Sequence, residues 1–221
     1  MKKRKKIITV AIDSPAAAGA GTQAKLISSH YNLLYLDTGK LYRLIGKMRL
    51  QKKKEFNYKL IKKTIKKINL KDLDHKSLLA NKVAVSASII AKDKNIRNIV
   101  KKFQLDCAYN PSNIFSGSVL DGRDITSVIM KKAMFKFYIT ANLKTRAKRR
   151  FIEFKKLGKN IPYNEVLKSL RNRDNLDKNR KYSPLKKTKD SILINTSKLS
   201  KKASFKKIKS IMDKKLIHGN I

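Results

Sequence analysis

The sequence predicts an α/β fold, a five-stranded parallel sheet sandwiched by helices, on three observations. Short runs rich in Val, Ile, Leu and Phe alternate with stretches of helical periodicity along the 221 residues, as they do where crossover helices join parallel strands. The runs are nearly continuous in hydrophobicity, which suits strands buried on both faces. The first run leads through a small-residue, Gly-containing turn directly into a helix, so that backbone N–H groups and the helix N-terminus converge on one point.

The strands are expected at residues 7–12, 33–36, 118–120, 135–140 and 191–195, with 7–12 at the centre of the sheet. Between Tyr42 and Tyr109 no run reads as a strand. Ile61, Ile65 and Ile68, then Val83, Ala87, Ile90 and Ala91, instead recur at the spacing of one helical face. Further helices are expected over 143–157 and from Tyr163 to about Leu176. One sheet core therefore carries two helical excursions, after the second strand and after the fourth. No internal repeat or Pro/Gly-rich linker divides the chain. The expected organisation is a single domain with its core at 1–40, 110–143 and 181–221 and helical insertions at 41–109 and 144–180.

Composition narrows the function classes. A hydrophobic content of 41% argues for a folded protein. The single Cys107 excludes an intramolecular disulfide and suits a reducing compartment. No apolar run is long enough to span a bilayer. The basic start at residues 1–6 is followed by too short an apolar stretch for a signal peptide, so a cytoplasmic protein is expected. The formal net charge of +40 favours polyanions and permits nonspecific nucleic-acid affinity. The lysines are nonetheless spread in pairs along expected solvent faces of helices, not gathered in a tail.

Three segments carry chemistry. Asp121-Gly122-Arg123-Asp124 closes an apolar run with alternating carboxylate and guanidinium groups, as the floor of an anion-handling site would. Asp13-Ser14-Pro15-Ala16-Ala17-Ala18-Gly19-Ala20-Gly21-Thr22 lies between the first strand and the first helix, where successive backbone N–H groups can cradle phosphates. Arg173-Asp174-Asn175-Leu176-Asp177-Lys178-Asn179-Arg180 precedes Ser183-Pro184-Leu185. Together these predict a small phosphoryl-transfer enzyme.

Those segments, with Tyr35-Leu36-Asp37-Thr38-Gly39-Lys40-Leu41-Tyr42-Arg43, the basic run from Arg146 to Arg150, and Ile194-Asn195-Thr196-Ser197, give the chain a resemblance over nearly its whole length to the bacterial cytidylate kinases. The resemblance implies a P-loop NTPase-type sheet, an acceptor-binding insertion and a lid. It implies ATP-dependent phosphorylation of CMP and dCMP in pyrimidine nucleotide metabolism, with Mg²⁺, by a monomer. Ser14, Pro15, Ala16, Ala17, Ala18, Gly19, Ala20, Gly21 and Thr22 would hold the ATP phosphates, with the Thr22 hydroxyl toward Mg²⁺. Thr38, Arg43, Ser88, Arg97, Asp124 and Asp177 would bind the acceptor nucleotide. Ser88, Arg97 and Asp124 would contact its base. Arg123, Arg173 and Arg180 would be catalytic, meeting phosphates, and arginines from Arg146 to Arg180 would close over the donor.

The resemblance breaks at position 20. The family carries a lysine there that follows the β- and γ-phosphates into the transition state, and this chain has Ala20. Loss of one such donor costs about 3 kcal/mol, on the order of a hundredfold in rate. Either Lys25 or Lys40 is a candidate replacement, and the sequence does not choose between them. Asn195, where the family often has Asp, is a milder departure. Two alternatives stand beside the leading reading. One is a kinase-derived nucleotide- or polyanion-binding protein with impaired turnover, and the other is a kinase for a different nucleoside monophosphate.

Overall fold

The computed structural model describes residues 7–218, so the basic start of the chain lies outside it. The strands are β1 (Ile8–Asp13), β2 (Leu33–Asp37), β3 (Gly117–Gly122), β4 (Phe135–Thr140) and β5 (Ile192–Asn195). They form a five-stranded sheet in the order β2-β3-β1-β4-β5, and every pairing is parallel. The strand expected to be central is central. The expectation of strands buried on both faces holds for β1 and β3 but fails for β5. As an edge strand, β5 leaves Ile192 and Leu193 40% and 49% exposed.

Alternate residues of each strand feed opposite layers. Ala11, Leu36 and Leu120 pack on one face with α2 (Thr38–Gln51), α3 (Tyr58–Lys67) and α5 (Lys94–Tyr109). Val10, Ile12, Val119 and Phe137 pack on the other with α1 (Ala20–Tyr31) and α8 (Lys201–His218). The insertion after β2 is wholly helical among the described residues. It comprises α2, α3, two short 3₁₀ turns at Leu70–Asp74 and Lys76–Leu79, α4 (Asn81–Ile90) and α5. Its starts follow local chemistry: Asn57 accepts a hydrogen bond from Leu60 N, and Asp93 accepts from Asn95 N and Ile96 N. Ile68 and Ala91, counted above with the helical faces, are the C-caps of α3 and α4.

Helices α2 and α4 approach closely because Gly46 has no side chain. A Cβ there would come within 2.8 Å of Ala87 N. After β4, α6 (Leu143–Lys156) and α7 (Tyr163–Asn179) form a hairpin. Its own small core of Ala147, Phe154, Val166 and Leu170 closes on Ala16 of the loop after β1.

Candidate active site

Parallel topology brings the C-terminal ends of β1, β2 and β3 side by side, with Asp37 opposite Asp121 and Asp13 opposite Gly122. The order reverses at β1, and a crevice at such a switch point is where open α/β sheets bind ligands. A cavity of about 390 Å³ opens there. Every residue assigned individually above to the phosphate loop, to the acceptor or to catalysis lines it, from Ser14 to Arg180.

The loop between β1 and α1 is built under strain. Gly19 takes φ 95°, which glycine tolerates, but Ala17 also sits in the left-handed region at φ 59°. Asp13 anchors the base of the loop. Its carboxylate, fully buried, accepts hydrogen bonds from Ile125 N (2.7 Å), Thr126 N (2.9 Å) and Thr126 Oγ1 (2.5 Å). These donors sit at the start of a single π-turn, Ile125–Ile129. Burial nevertheless pushes the Asp13 carboxyl up to about 6, against those hydrogen bonds.

Thr22 is exposed on the first turn of α1. Beside it, a Cβ on Gly21 would lie 3.4 Å from Tyr35 Oη and 3.5 Å from Asp121 Oδ2, and Tyr35 Oη donates to Asp121 Oδ1 (3.2 Å). Burial, and then the neighbouring Asp37 carboxylate, raise the Asp121 carboxyl well above its ordinary range. Thr38 Oγ1 donates to Asp121 O (2.8 Å) and fixes the start of α2.

The opposite wall is rich in arginine. Arg97 pairs directly with Asp124, both buried, and lies over the Tyr42 ring. Arg180 approaches the other Asp124 oxygen (3.6 Å) and donates from Nε to Ser183 O (2.5 Å). Arg123 Nε donates to Asp177 Oδ2 (2.8 Å), while Arg173 Nε stands 4.0 Å from that oxygen. Arg43 donates to Leu78 O (2.8 Å). Positive charge here exceeds its partners. Arg173 Nε and one terminal nitrogen of Arg180 are buried with no hydrogen-bond partner among the described residues. Burial, and then the nearby Arg123 guanidinium, pull Arg173 down to about 10, with Arg43 and Arg150 adding to the repulsion. A cavity whose lining holds six arginines and fewer carboxylates is suited to an anion of several oxygens.

Some residues sit otherwise than expected. Ser88 lines the cavity but spends its hydroxyl on Ala84 O (3.1 Å), one turn back in α4. Arg146, expected to close over the donor, is instead a structural group. It is buried, bidentate to Asp174 (3.0 and 2.5 Å), and donates to Ala141 O and Ala16 O. Its distance from the cavity follows from that carboxylate one layer behind the wall. Lys25 is exposed on α1 and does not line the cavity, whereas Lys40 does.

Sequence reasoning gave no individual role to Tyr35 or Asp13, both of which lie against the site, and gave Arg150 one only as part of the basic run expected to close over the donor. Arg150 was visible as part of the basic run, yet its helical phase relative to Arg146 decides which of the two faces the cavity. A smaller cleft on the outer side of the loop is lined by Gly19, Thr22, Arg149 and Thr196. There Arg149 donates to Thr196 Oγ1 (3.0 Å) and Thr196 O (2.7 Å).

Comparison with known proteins accords with this geometry. Residues 10–214 match the family model described as cytidylate kinase. A cytidylate kinase of Bartonella quintana is 41% identical over 209 residues, covering 94% of this chain and 95% of its own. One from Clostridium botulinum is 37% identical over 220 residues, covering 94% and 98%. Among solved structures, an uncharacterized protein from Eubacterium ventriosum shares the fold, with a TM-score of 0.56 at 17% identity over 93% of this chain and 98% of that one. With a family match spanning the loop, the sheet and both helical insertions, the chain belongs to the cytidylate kinase family of nucleoside monophosphate kinases.

Proposed function

We propose that this protein transfers the γ-phosphoryl group of ATP to CMP and dCMP, giving CDP and dCDP. The observation that carries the reading is the excess of buried guanidinium donors opposite a strand-to-helix phosphate loop. Two phosphorylated ligands entering from the two sides would supply the missing acceptors. In this reading the backbone of residues 14–22 cradles the donor phosphates, and the cleft beside Arg149 and Thr196 takes the donor base. Arg43, Arg123, Arg173 and Arg180 hold the acceptor and transferring phosphates, with Asp177 keeping Arg123 oriented. Arg97 and Asp124, buried together, present a donor and an acceptor to cytosine, with Ser88 at the edge of that pocket. Residues 41–109 act as the acceptor-binding insertion and 144–180 as the lid, and one chain suffices.

The acceptor phosphate is already ionised near neutral pH, so alignment and charge neutralisation are the main demands. Thr22 with the Asp37 and Asp121 carboxylates, which lie in register across β2 and β3, offers the hard oxygen donors that a hydrated Mg²⁺ takes. The ion would neutralise donor phosphate charge.

The test is purified protein with ATP, Mg²⁺ and each nucleoside monophosphate, followed by product detection. CMP and dCMP are expected to be the preferred acceptors, and preference for AMP or UMP would overturn the base assignment. Arg97→Ala should weaken CMP binding by about 1–3 kcal/mol, because it leaves an acceptor atom of the bound cytosine without its donor. CMP bound as tightly by that variant as by the parent would put the base elsewhere.

A further inference from the structure

We propose that Lys40 supplies the ammonium that the phosphate loop lacks at Ala20, so that the catalytic cation enters from the start of α2 instead of the start of α1. The proposal rests on the kinase reading above. Among the described residues lining the cavity, Lys40 is the one lysine. Lys25, the other candidate near in sequence, points out to solvent. The path from position 20 to position 40 is short and continuous. Gly21, next to Ala20, lies against Asp121, Asp121 lies in register with Asp37, and Lys40 follows three residues later in the first turn of α2. Its side chain is sheltered, 18% exposed, yet its partner in this state is the carboxylate of Asp74 (2.5 Å), which is 75% exposed. An ion pair open to water at one end contributes little. Donor phosphates, carrying more charge in a more enclosed place, would draw the ammonium away from it.

In the transfer step an oxygen of the CMP phosphate forms a bond to the γ-phosphorus. The bond from that phosphorus to the β,γ-bridging oxygen breaks, and ADP leaves with the electron pair. Lys40 Nζ donates hydrogen bonds to donor oxygens as charge accumulates there, and it neither gains nor loses a proton.

The experiment is turnover and single-turnover transfer with saturating ATP, Mg²⁺ and CMP, with CMP affinity measured separately. Lys40→Met should lower kcat by about a hundredfold and leave the Kd for CMP within about threefold, a separation that a misfolded variant would not show. Ala20→Lys should help the Lys40→Met variant far more than it helps the parent, in which the role is already filled. Placed in the Lys40→Met background, it should restore most of the loss, which a purely structural role for Lys40 would not allow. Asp74→Asn, at an exposed site, should leave kcat intact and lower the KM for ATP. An active parent whose Lys40→Met variant turns over equally fast overturns the assignment of Lys40 alone. A parent inert with every nucleotide overturns the kinase reading itself.

Discussion

Ala17 is an alanine held at φ 59° in the loop proposed to cradle the donor phosphates. A left-handed backbone costs a residue with a Cβ about 1–2 kcal/mol, and glycine would relieve that at a cost of about 0.4–1 kcal/mol in unfolded-state entropy. Ala17→Gly should therefore stabilise the protein by about 0.5–1 kcal/mol, read as a raised denaturation midpoint. An unchanged or lower midpoint would mean that the loop relaxes without strain at this position. Asp13 carries the opposite kind of tension, a buried carboxyl whose pKa rises from 3.8 to about 6. In the folded state it keeps its proton to higher pH than in the unfolded chain. Its contribution is fully present below pH 3.8 and is lost as pH rises through 6, by about 3 kcal/mol in all. The stability gap between the parent and Asp13→Asn should therefore shrink from pH 4 to pH 7, as measured by denaturant titration at each pH. A gap that widens over that range would show the carboxylate to be the favoured form.

At the scale of elements, the proposed acceptor side depends on how closely α4 lies on α2. Gly46→Ala would set a methyl group 2.8 Å from Ala87 N, and because the obstacle is backbone, α4 has to move. The expected cost is about 1–3 kcal/mol. Since Ala87 and Ser88 line the cavity from α4, the KM for CMP should rise while that for ATP stays near the parent value. Equal effects on both would tie α4 to the whole fold and not to the acceptor. This contact also marks the limit of what was legible in the sequence. The strands and the helical insertions could be read from period and composition, because hydrophobic runs and Asn or Asp caps act locally. Of the cavity-lining set, Asp121 to Asp124 could be read from charges at a strand end, whereas Arg43, Ser88, Arg97, Arg173 and Asp177 lie on helices and took their roles only from the resemblance. What could not be read is which of several charges faces inward. Arg146 and Arg150 belong to the same run and the same helix, yet one is bound to Asp174 behind the wall and the other lines the cavity. Lys25 and Lys40 both lie near in sequence to Ala20, and only the sheet register that sets Asp37 beside Asp121 separates them. Such choices are made by packing across elements distant in sequence, which periodicity does not encode.

At the scale of the whole molecule, a net charge of +40 on 221 residues means that folding compresses like charges against one another. Surface repulsion of this kind is screened over about 10 Å at 0.1 M salt and about 3 Å at 1 M. Chloride alone should then raise stability, by about 1 kcal/mol or roughly 2–4 °C for a chain of this size. The arginine wall adds a second, local effect. Among the described residues, Arg173 Nε and a terminal nitrogen of Arg180 have no hydrogen-bond acceptor, and a tetrahedral oxyanion suits the place proposed for phosphate. Sulfate at matched ionic strength should therefore stabilise more than chloride does. Part of that excess is the general exclusion of sulfate from protein surfaces, which a variant keeps, and part is binding at the wall, which Arg173→Ala should abolish. The measurement is the melting temperature of parent and variant in the two salts. A sulfate increment of the same size in both proteins would show that the guanidinium groups of the wall do not form an oxyanion site. A smaller increment in Arg173→Ala, with the chloride response unchanged, would separate the diffuse charge of the surface from the focused charge of the cavity.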